Sequence, residues 1–283
     1  VLSPVMAIPG LIIQYSHASA AMQGLQRLFS LKVENSETAH PLTPDSLKGH
    51  YVLSNVKYTH AESPPSIQIA SLSIESGESI AVVGPIGSGK STLLKILAGL
   101  YTPQSGKIMI DGLDMSMIHR QVVAESIGYL QQEHRLFHGT LRENLLSGLA
   151  DPGDDKLLEV LKLTGFDAIV AAHPKGLEKN IHEGGKGLSG GQKQLLAFTR
   201  LLLADPAIWL LDEPTTAMDQ HQETVCMNLL AQKISSGKTV VLVTHKPNLL
   251  LLAKRTIVVN QNQIVFDGPT QEFRERIGGK PND

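Results

Sequence analysis

Short apolar runs alternate with longer stretches of helical period through most of this chain. Residues 80–83, 127–130, 208–211, Thr239–Val243 and 257–259 are apolar runs too short for helices. Such runs, bounded by turn residues, read as strands buried on both faces. Residues 90–98, 192–204 and 220–235 carry apolar positions at helical spacing. Strand and helix in alternation predict an α/β fold around a mostly parallel sheet. Residues 55–74 and 107–111 read instead as hairpin strands, so a smaller antiparallel layer is expected beside the main sheet. Residues 133–191 show helical stretches and no strand, which predicts a helical insertion.

The front of the chain is patterned differently. Tyr15, Ala18, Met22, Leu25 and Phe29 recur at spacings of three and four, which puts them on one face of a helix that needs a partner. Residues 1–13 are strongly apolar but broken by Pro4, Pro9 and Gly10. The run is shorter than the ~20 apolar residues needed to cross a bilayer. No basic stretch precedes it as in a signal peptide, and the first Lys, Arg, Asp or Glu is Arg27. The segment reads as a piece of a longer polypeptide. Residues 32–49 then turn polar, with Pro41 and Pro44 among Ser and Thr, the profile of a linker. The expected organisation is therefore 1–31, a linker over 32–49, and a main domain over 50–283.

Composition narrows the partners. With 283 residues, 42% hydrophobic and 18% charged, the chain is globular and long enough for a substantial core. Lys+Arg of 25 against Asp+Glu of 27 leaves 25 − 27 = −2, which argues against a nucleic-acid backbone as the main partner. The single cysteine, Cys226, excludes an internal disulfide and a Cys-rich zinc site, and is compatible with a reducing compartment.

The run Gly84, Pro85, Ile86, Gly87, Ser88, Gly89, Lys90, Ser91 satisfies G-x-x-x-x-G-K-[ST] between an expected strand and an expected helix. Its glycines let backbone N–H groups converge on phosphate oxygens, and the helix that opens near Lys90 adds its positive dipole end. Lys90 is then placed to reach the β- and γ-phosphates of ATP, and the Ser91 hydroxyl to ligate Mg²⁺. Asp212 and Glu213 close the apolar run 208–211, read as a strand beside the one preceding Gly84. Asp212 is the candidate to hold Mg²⁺, and Glu213 to polarise a water in line with the γ-phosphate.

Leu188, Ser189, Gly190, Gly191 and Gln192, some twenty residues before Asp212, resemble the signature motif of ABC-type ATPases. Ser189 and the Gly190 and Gly191 backbone open a helix and so form a second anion-binding terminus. The resemblance covers Tyr51 to about Ile277. It implies a P-loop ABC ATPase core with a small antiparallel β subdomain and a helical signature subdomain. It also implies a homodimer in which each ATP is held between the P-loop of one copy and the signature of the other. On the same resemblance Thr92 joins the ATP site and Gln132 senses Mg²⁺ and the attacking water. Asp219 belongs to the loop that crosses the dimer interface, and His245 contacts the γ-phosphate and orients the water at Glu213.

Residues 136–144 and 183–187 resemble exporter-type members, in which the position of Glu183 contacts the membrane domain. Residues 1–31 are similar to the last transmembrane helix and cytoplasmic extension of bacterial type I secretion ATPases. That likeness implies a multi-pass protein of the inner membrane with this domain on the cytoplasmic side. Its implied partners are the chain's own transmembrane domain, adaptor and outer-membrane proteins, and a polypeptide cargo. A lipid, drug or peptide exporter shares the same motor. A soluble ABC ATPase of DNA repair or translation carries a long coiled coil or tandem cassettes, which this chain lacks. The family usually stacks adenine on an aromatic ring in its first strand. Here His60 takes that position and Tyr58, two residues earlier on the same strand face, is the alternative. His182 replaces the glycine usual before Glu183.

Overall fold

The computed structural model describes residues 3–31, 40–60 and 65–278. Two units emerge, Val1–Pro41 and Leu42–Asp283. The first contains helix α1 (Ser3–Phe29), which runs unbroken through Pro9. A proline removes one backbone donor and crowds the preceding turn, and here Gly10 follows it, so α1 continues across two poor helix formers. Leu11, Ile12, Ile13, Tyr15, Met22, Leu25 and Phe29 are all exposed on α1. Among the described residues no helix is long and apolar enough to cross a membrane. The first part of the expected linker, 32–39, lies outside the described residues, as do Val1 and Leu2.

The second unit starts before residue 50. The Leu42 N–H donates to the Met117 carbonyl, and the His119 N–H returns to Leu42. Leu47 is buried. The Asp111 carboxylate accepts from the N–H groups of Lys48 (2.6 Å), Gly49 (3.4 Å) and His50 (2.9 Å). Three otherwise orphaned donors converge on one anion, and this pins residues 48–50 into the body of the domain.

The strands are β1 (Tyr51–Thr59), β2 (Pro65–Ile74), β3 (Ser79–Val83), β4 (Ser105–Ile110), β5 (Leu113–Asp114), β6 (Ile127–Leu130), β7 (Gly139–Thr140), β8 (Asn180–Ile181), β9 (Ile208–Asp212), β10 (Thr239–Val243), β11 (Arg255–Asn260) and β12 (Gln263–Pro269). Ten of them form one sheet in the order β5-β4-β1-β2-β12-β11-β3-β10-β9-β6. The stretch β11-β3-β10-β9-β6 is parallel throughout. The antiparallel strands β1, β2, β4 and β5 are not a detached layer. They join the same sheet through one parallel pair, Gln263 with Gln68. Strand β10 lies between β3 and β9, so Asp212 emerges two strands from the Gly84 loop rather than beside it.

The helices α2 (Lys90–Leu97), α3 (Arg120–Ser126), α4 (Leu141–Leu145), α5 (Asp154–Thr164), α6 (Asp167–Ala171), α7 (Gly190–Ala204), α8 (Gln220–Ser235), α9 (Pro247–Leu250) and α10 (Thr270–Gly278) complete the second unit. Alternate residues of the central strands feed two cores. Ile208, Leu210, Val241 and Val243 face α2 and the antiparallel strands. Trp209, Leu211, Val240 and Leu242 face α4, α5, α7 and α8. This period of two across fully buried strands accounts for their continuous apolar sequences. Trp209 packs edge-on against Phe198 of α7, its indole N–H donating to Pro206. Cys226 lies in the second core with its Sγ 3.5 Å from the Met218 sulfur, and burial pushes its thiol up to about 12. The helical insertion is present over α4–α6, but it also contains β7 and β8, which pair with each other. Two-residue strands leave too short a pattern to be read from sequence.

Replacing Asp111 by Ala leaves the Lys48, Gly49 and His50 donors without their acceptor. The expected loss is about 1–3 kcal/mol, read as a lower urea midpoint at unchanged m-value.

Candidate functional site

The loop after β3 owes its shape to its glycines. Gly84, Gly87 and Gly89 have φ of 150°, 77° and 104°, a region that side chains avoid. A Cβ on Gly89 would lie 2.5 Å from the Ser66 carbonyl oxygen. The loop is thus pressed against β2. Lys90 is buried, and its ammonium donates to the carbonyls of Gly84 and Pro85, both at 2.7 Å. Burial lowers its pKa, while Glu213 and Asp212 oppose that shift. The Ser88 hydroxyl is buried in the loop without a partner among the described residues. An orphaned hydroxyl and an ammonium held by loop carbonyls both suit a polyanion, whose oxygens can take over these donors. Ile86, by contrast, stands 97% exposed at the loop tip.

The parallel register brings the acidic residues to the same edge. Val82 pairs with Val243, and Val243 with Asp212, so the ends of β3, β10 and β9 form one row. Helix α2 packs over β10 and β9 and carries Ser91 across the intervening strand, close enough to the Asp212 carboxylate to favour its ionised form. Thr92 follows on the same helix. The pair of Ser91 and Asp212 fits Mg²⁺, which takes few protein oxygens and completes its shell with water and phosphate. Gln132 lies two residues past β6, whose Leu130 pairs with Leu211, and its side chain is exposed.

Glu213 adopts φ of 50°, an uncommon conformation for a side-chain-bearing residue at a cost of order 1–3 kcal/mol. Its N–H donates to Val243, which ties it to β10. One carboxylate oxygen accepts from the Thr216 hydroxyl at 3.0 Å; the other lies 3.6 Å from Nε2 of His245, just past β10. Glu213 and His245 therefore lie side by side. Lys246 was not foreseen: its ammonium bonds the Thr215 carbonyl at 2.9 Å and the Glu223 carboxylate at 2.6 Å.

Ser189 caps α7. Its hydroxyl accepts from the Gln192 N–H, and the Gln192 side chain accepts from the Ser189 N–H, a reciprocal capping box. Leu188 is buried below, while Ser189 and Gly190 are exposed. Gly191 abuts the Ala217 carbonyl, 2.6 Å from where its Cβ would stand. Asp219 is engaged locally, capping α8 by accepting from Gln222 at 2.8 Å. A second unforeseen residue, Gln194, joins α7 to Glu213 and Ala217. The available signal was a glutamine on the apolar stripe of α7.

At the far end of the loop region, Tyr58 stacks on Tyr101 with centroids 4.7 Å apart and planes 5° from parallel. One face of Tyr58 is thereby taken. His60 is exposed and stands edge-on to both rings, at 5.1 and 5.4 Å. Glu183 opens an exposed turn beside His182, whose ring lies 6.2 Å from that of His138.

A glycine-shaped phosphate loop, a buried carboxylate that α2 brings close to its serine, and an acid–histidine pair on the next loops define a nucleotide-binding site of the P-loop class. The chain belongs to the ABC transporter family, whose model matches residues 67–216, more than half of its length. It is 30% identical over 268 residues to the uncharacterized ABC transporter ATP-binding protein YfiC of Bacillus subtilis, covering 94% of this chain and 44% of that protein. It is 33% identical to the mitochondrial iron-sulfur clusters transporter ATM1 of Debaryomyces hansenii, over 90% of this chain and 38% of that one. Against the leukotoxin translocation ATP-binding protein LktB of Mannheimia haemolytica the identity is 34%, over 84% and 34%. The solved structure of a bacterial Atm1-family ABC exporter with ATP bound superposes with a TM-score of 0.84 at 25% identity, covering 93% of this chain and 46% of that one. The chain spans less than half the length of these relatives.

Burial raises the Asp212 pKa, opposed by the nearby Ser91 side chain, with Glu213 adding to the rise. A raised folded-state pKa stabilises the fold below the ordinary carboxylate range, and that contribution is lost as pH rises through the raised value. Asp212→Asn is therefore expected to raise the nucleotide-free melting temperature at neutral pH by roughly 2–4 °C. The advantage should shrink toward acid pH in a melting series.

Proposed function

We propose that this chain is the ATP-hydrolysing motor domain of a homodimeric ABC exporter that energises type I secretion of a large polypeptide. The observation that carries the hydrolytic reading is the Glu213 carboxylate, fixed by Thr216 and 3.6 Å from His245, at the sheet edge that also bears Lys90 and Asp212. ATP would lie along the Gly84–Thr92 segment with Lys90 on its β- and γ-phosphates and adenine against His60. Ser91, Asp212 and Gln132 would hold Mg²⁺, which supplies charge neutralisation on the phosphate oxygens. Glu213 accepts a proton from water as the water oxygen bonds to the γ-phosphorus. The bond to the ADP oxygen breaks, giving ADP and phosphate. His245 holds the γ-phosphate and the water in line.

The second half of each ATP site comes from the other copy, whose Leu188–Gln192 signature would cap the γ-phosphate, with Asp219 at the seam. ATP is then the bridge of a dimer, and hydrolysis opens it. Residues 1–31 fit the cytoplasmic end of a last membrane helix, since α1 exposes an apolar surface that lacks a partner within its own unit. Glu183, on an exposed turn, is the coupling residue toward that membrane domain. The whole protein would sit in a bacterial inner membrane with this domain on the cytoplasmic side, working with adaptor and outer-membrane proteins. The likeness to LktB, a translocation protein by its name, supports polypeptide cargo. The likeness to ATM1 at similar identity supports a second reading, an exporter of a smaller cargo.

Glu213→Gln keeps the shape of the side chain and removes its basicity. It should bind ATP with affinity within about threefold of the unaltered chain, elute as a dimer with ATP and Mg²⁺, and lose at least about 10²-fold in kcat. Undiminished hydrolysis would remove Glu213 as the base. His60→Ala should weaken ATP binding about tenfold by calorimetry, on the scale of a lost stacking contact; unchanged affinity would rule His60 out as the adenine contact.

A further inference from the structure

Helix α7 buries two polar side chains among its leucines, Gln194 and Thr199, and uses them differently. The Thr199 hydroxyl donates to its own helix at the Leu195 carbonyl and lies 3.0 Å from the Thr164 hydroxyl of α5. Gln194, 2% exposed, reaches away from its helix to the loop after β9. Its Nε2 donates to the Glu213 carbonyl at 2.9 Å, and its Oε1 accepts from the Ala217 N–H at 2.7 Å. The amide donates to the carbonyl through one atom and accepts from the N–H through the other; a carboxylate keeps only the second bond and an aliphatic chain keeps neither.

The contact lands on a strained residue. Glu213 has φ of 50°, and its carboxylate direction depends on that backbone being held. One turn earlier on α7, Gly191 presses against the Ala217 carbonyl. The first turns of α7 therefore bear on the 213–217 loop at two points, and the loop cannot shift without the helix.

We infer that Gln194 is a positioning residue that couples the signature end of α7 to the Glu213 carboxylate. The inference rests on the proposed ATP-bridged dimer, in which Ser189–Gly191 meet the ATP of the other copy while Glu213 serves this copy's own ATP. Movement of α7 on closure at one ATP site is then delivered, through one buried amide, to the hydrolytic base of the other. The two sites communicate within a single protomer.

Steady-state ATP hydrolysis by the full chain with Mg²⁺ tests this in three variants. Gln194→Glu keeps the Ala217 bond and removes the one to Glu213; Gln194→Met removes both. Thr199→Val breaks a buried hydrogen bond on the same helix without touching the loop. Both Gln194 variants should lose about tenfold or more in kcat with ATP half-saturation within about threefold, and the Hill coefficient should fall from near 2 to about 1. Thr199→Val should keep both kcat and cooperativity. Wild-type kcat and cooperativity in a folded Gln194 variant would overturn the assignment, and so would an equal loss in Thr199→Val, which would make the effect one of general packing. If Gln194→Met does not fold, Gln194→Glu decides. Absence of hydrolysis by the unaltered chain would instead overturn the ATPase reading on which the coupling rests.

Discussion

Parallel pairing of β3, β10 and β9 in a common register is the constraint from which the site follows. Val82, Val243 and Asp212 lie in one row, so the loops that leave these three strands open at the same edge. Each strand supplies one kind of chemistry: the phosphate loop after β3, the acid pair at the end of β9, the histidine after β10. Strand spacing of about 4.8 Å places Asp212 near 10 Å from the β3 row, too far for a side chain of the loop itself. Helix α2 closes that distance by crossing back over the sheet, which brings Ser91 to Asp212. The cores on both faces of the sheet hold the register, because a slip by one residue would exchange their side chains.

The site is also where the domain tolerates what it avoids elsewhere. Asp212 and Lys90 are buried with their charge states disfavoured by desolvation. Ser88 is buried without a partner among the described residues, and Glu213 takes a left-handed backbone. These features lie within the loops and helix starts at one edge of the parallel sheet. Groups that are poorly satisfied alone are the ones able to bind or polarise a ligand, and the surrounding fold must hold them in place. Lys246, Gln194 and Thr216 do so here, each by bonding the short loop from Glu213 to Ala217 or its flank.

Most of the chemistry was legible because phosphate binding demands a local pattern. Gly84–Ser91 and Leu188–Gln192 are contiguous, and the helices and strands around them follow from periodicity alone. What was not legible depends on contacts across the fold. The order of β3, β10 and β9 is set by pairing, so Asp212 seemed adjacent to the phosphate loop when one strand separates them. Asp111 gathers residues 48–50 from some sixty positions away, which no linker composition reveals. The Tyr58–Tyr101 stack joins β1 to the end of the α2 region, and only the folded chain shows that one face of Tyr58 is occupied. Pro9 read as a break, yet α1 continues through it and through the Gly10 that follows.

Trp209 is the only tryptophan of the chain, three residues before Asp212, with Phe198 of α7 at its edge and the Lys233 ammonium 5.9 Å over its ring. The chain therefore carries one indole, excitable apart from its five tyrosines, shielded from water between the strand that ends in the acidic pair and the helix that begins at the signature. Its emission responds to the field and packing at that junction, including the Lys233 ammonium of α8. A shift in intensity on nucleotide addition would be an optical signal of motion between α7 and β9, obtained without attaching any label.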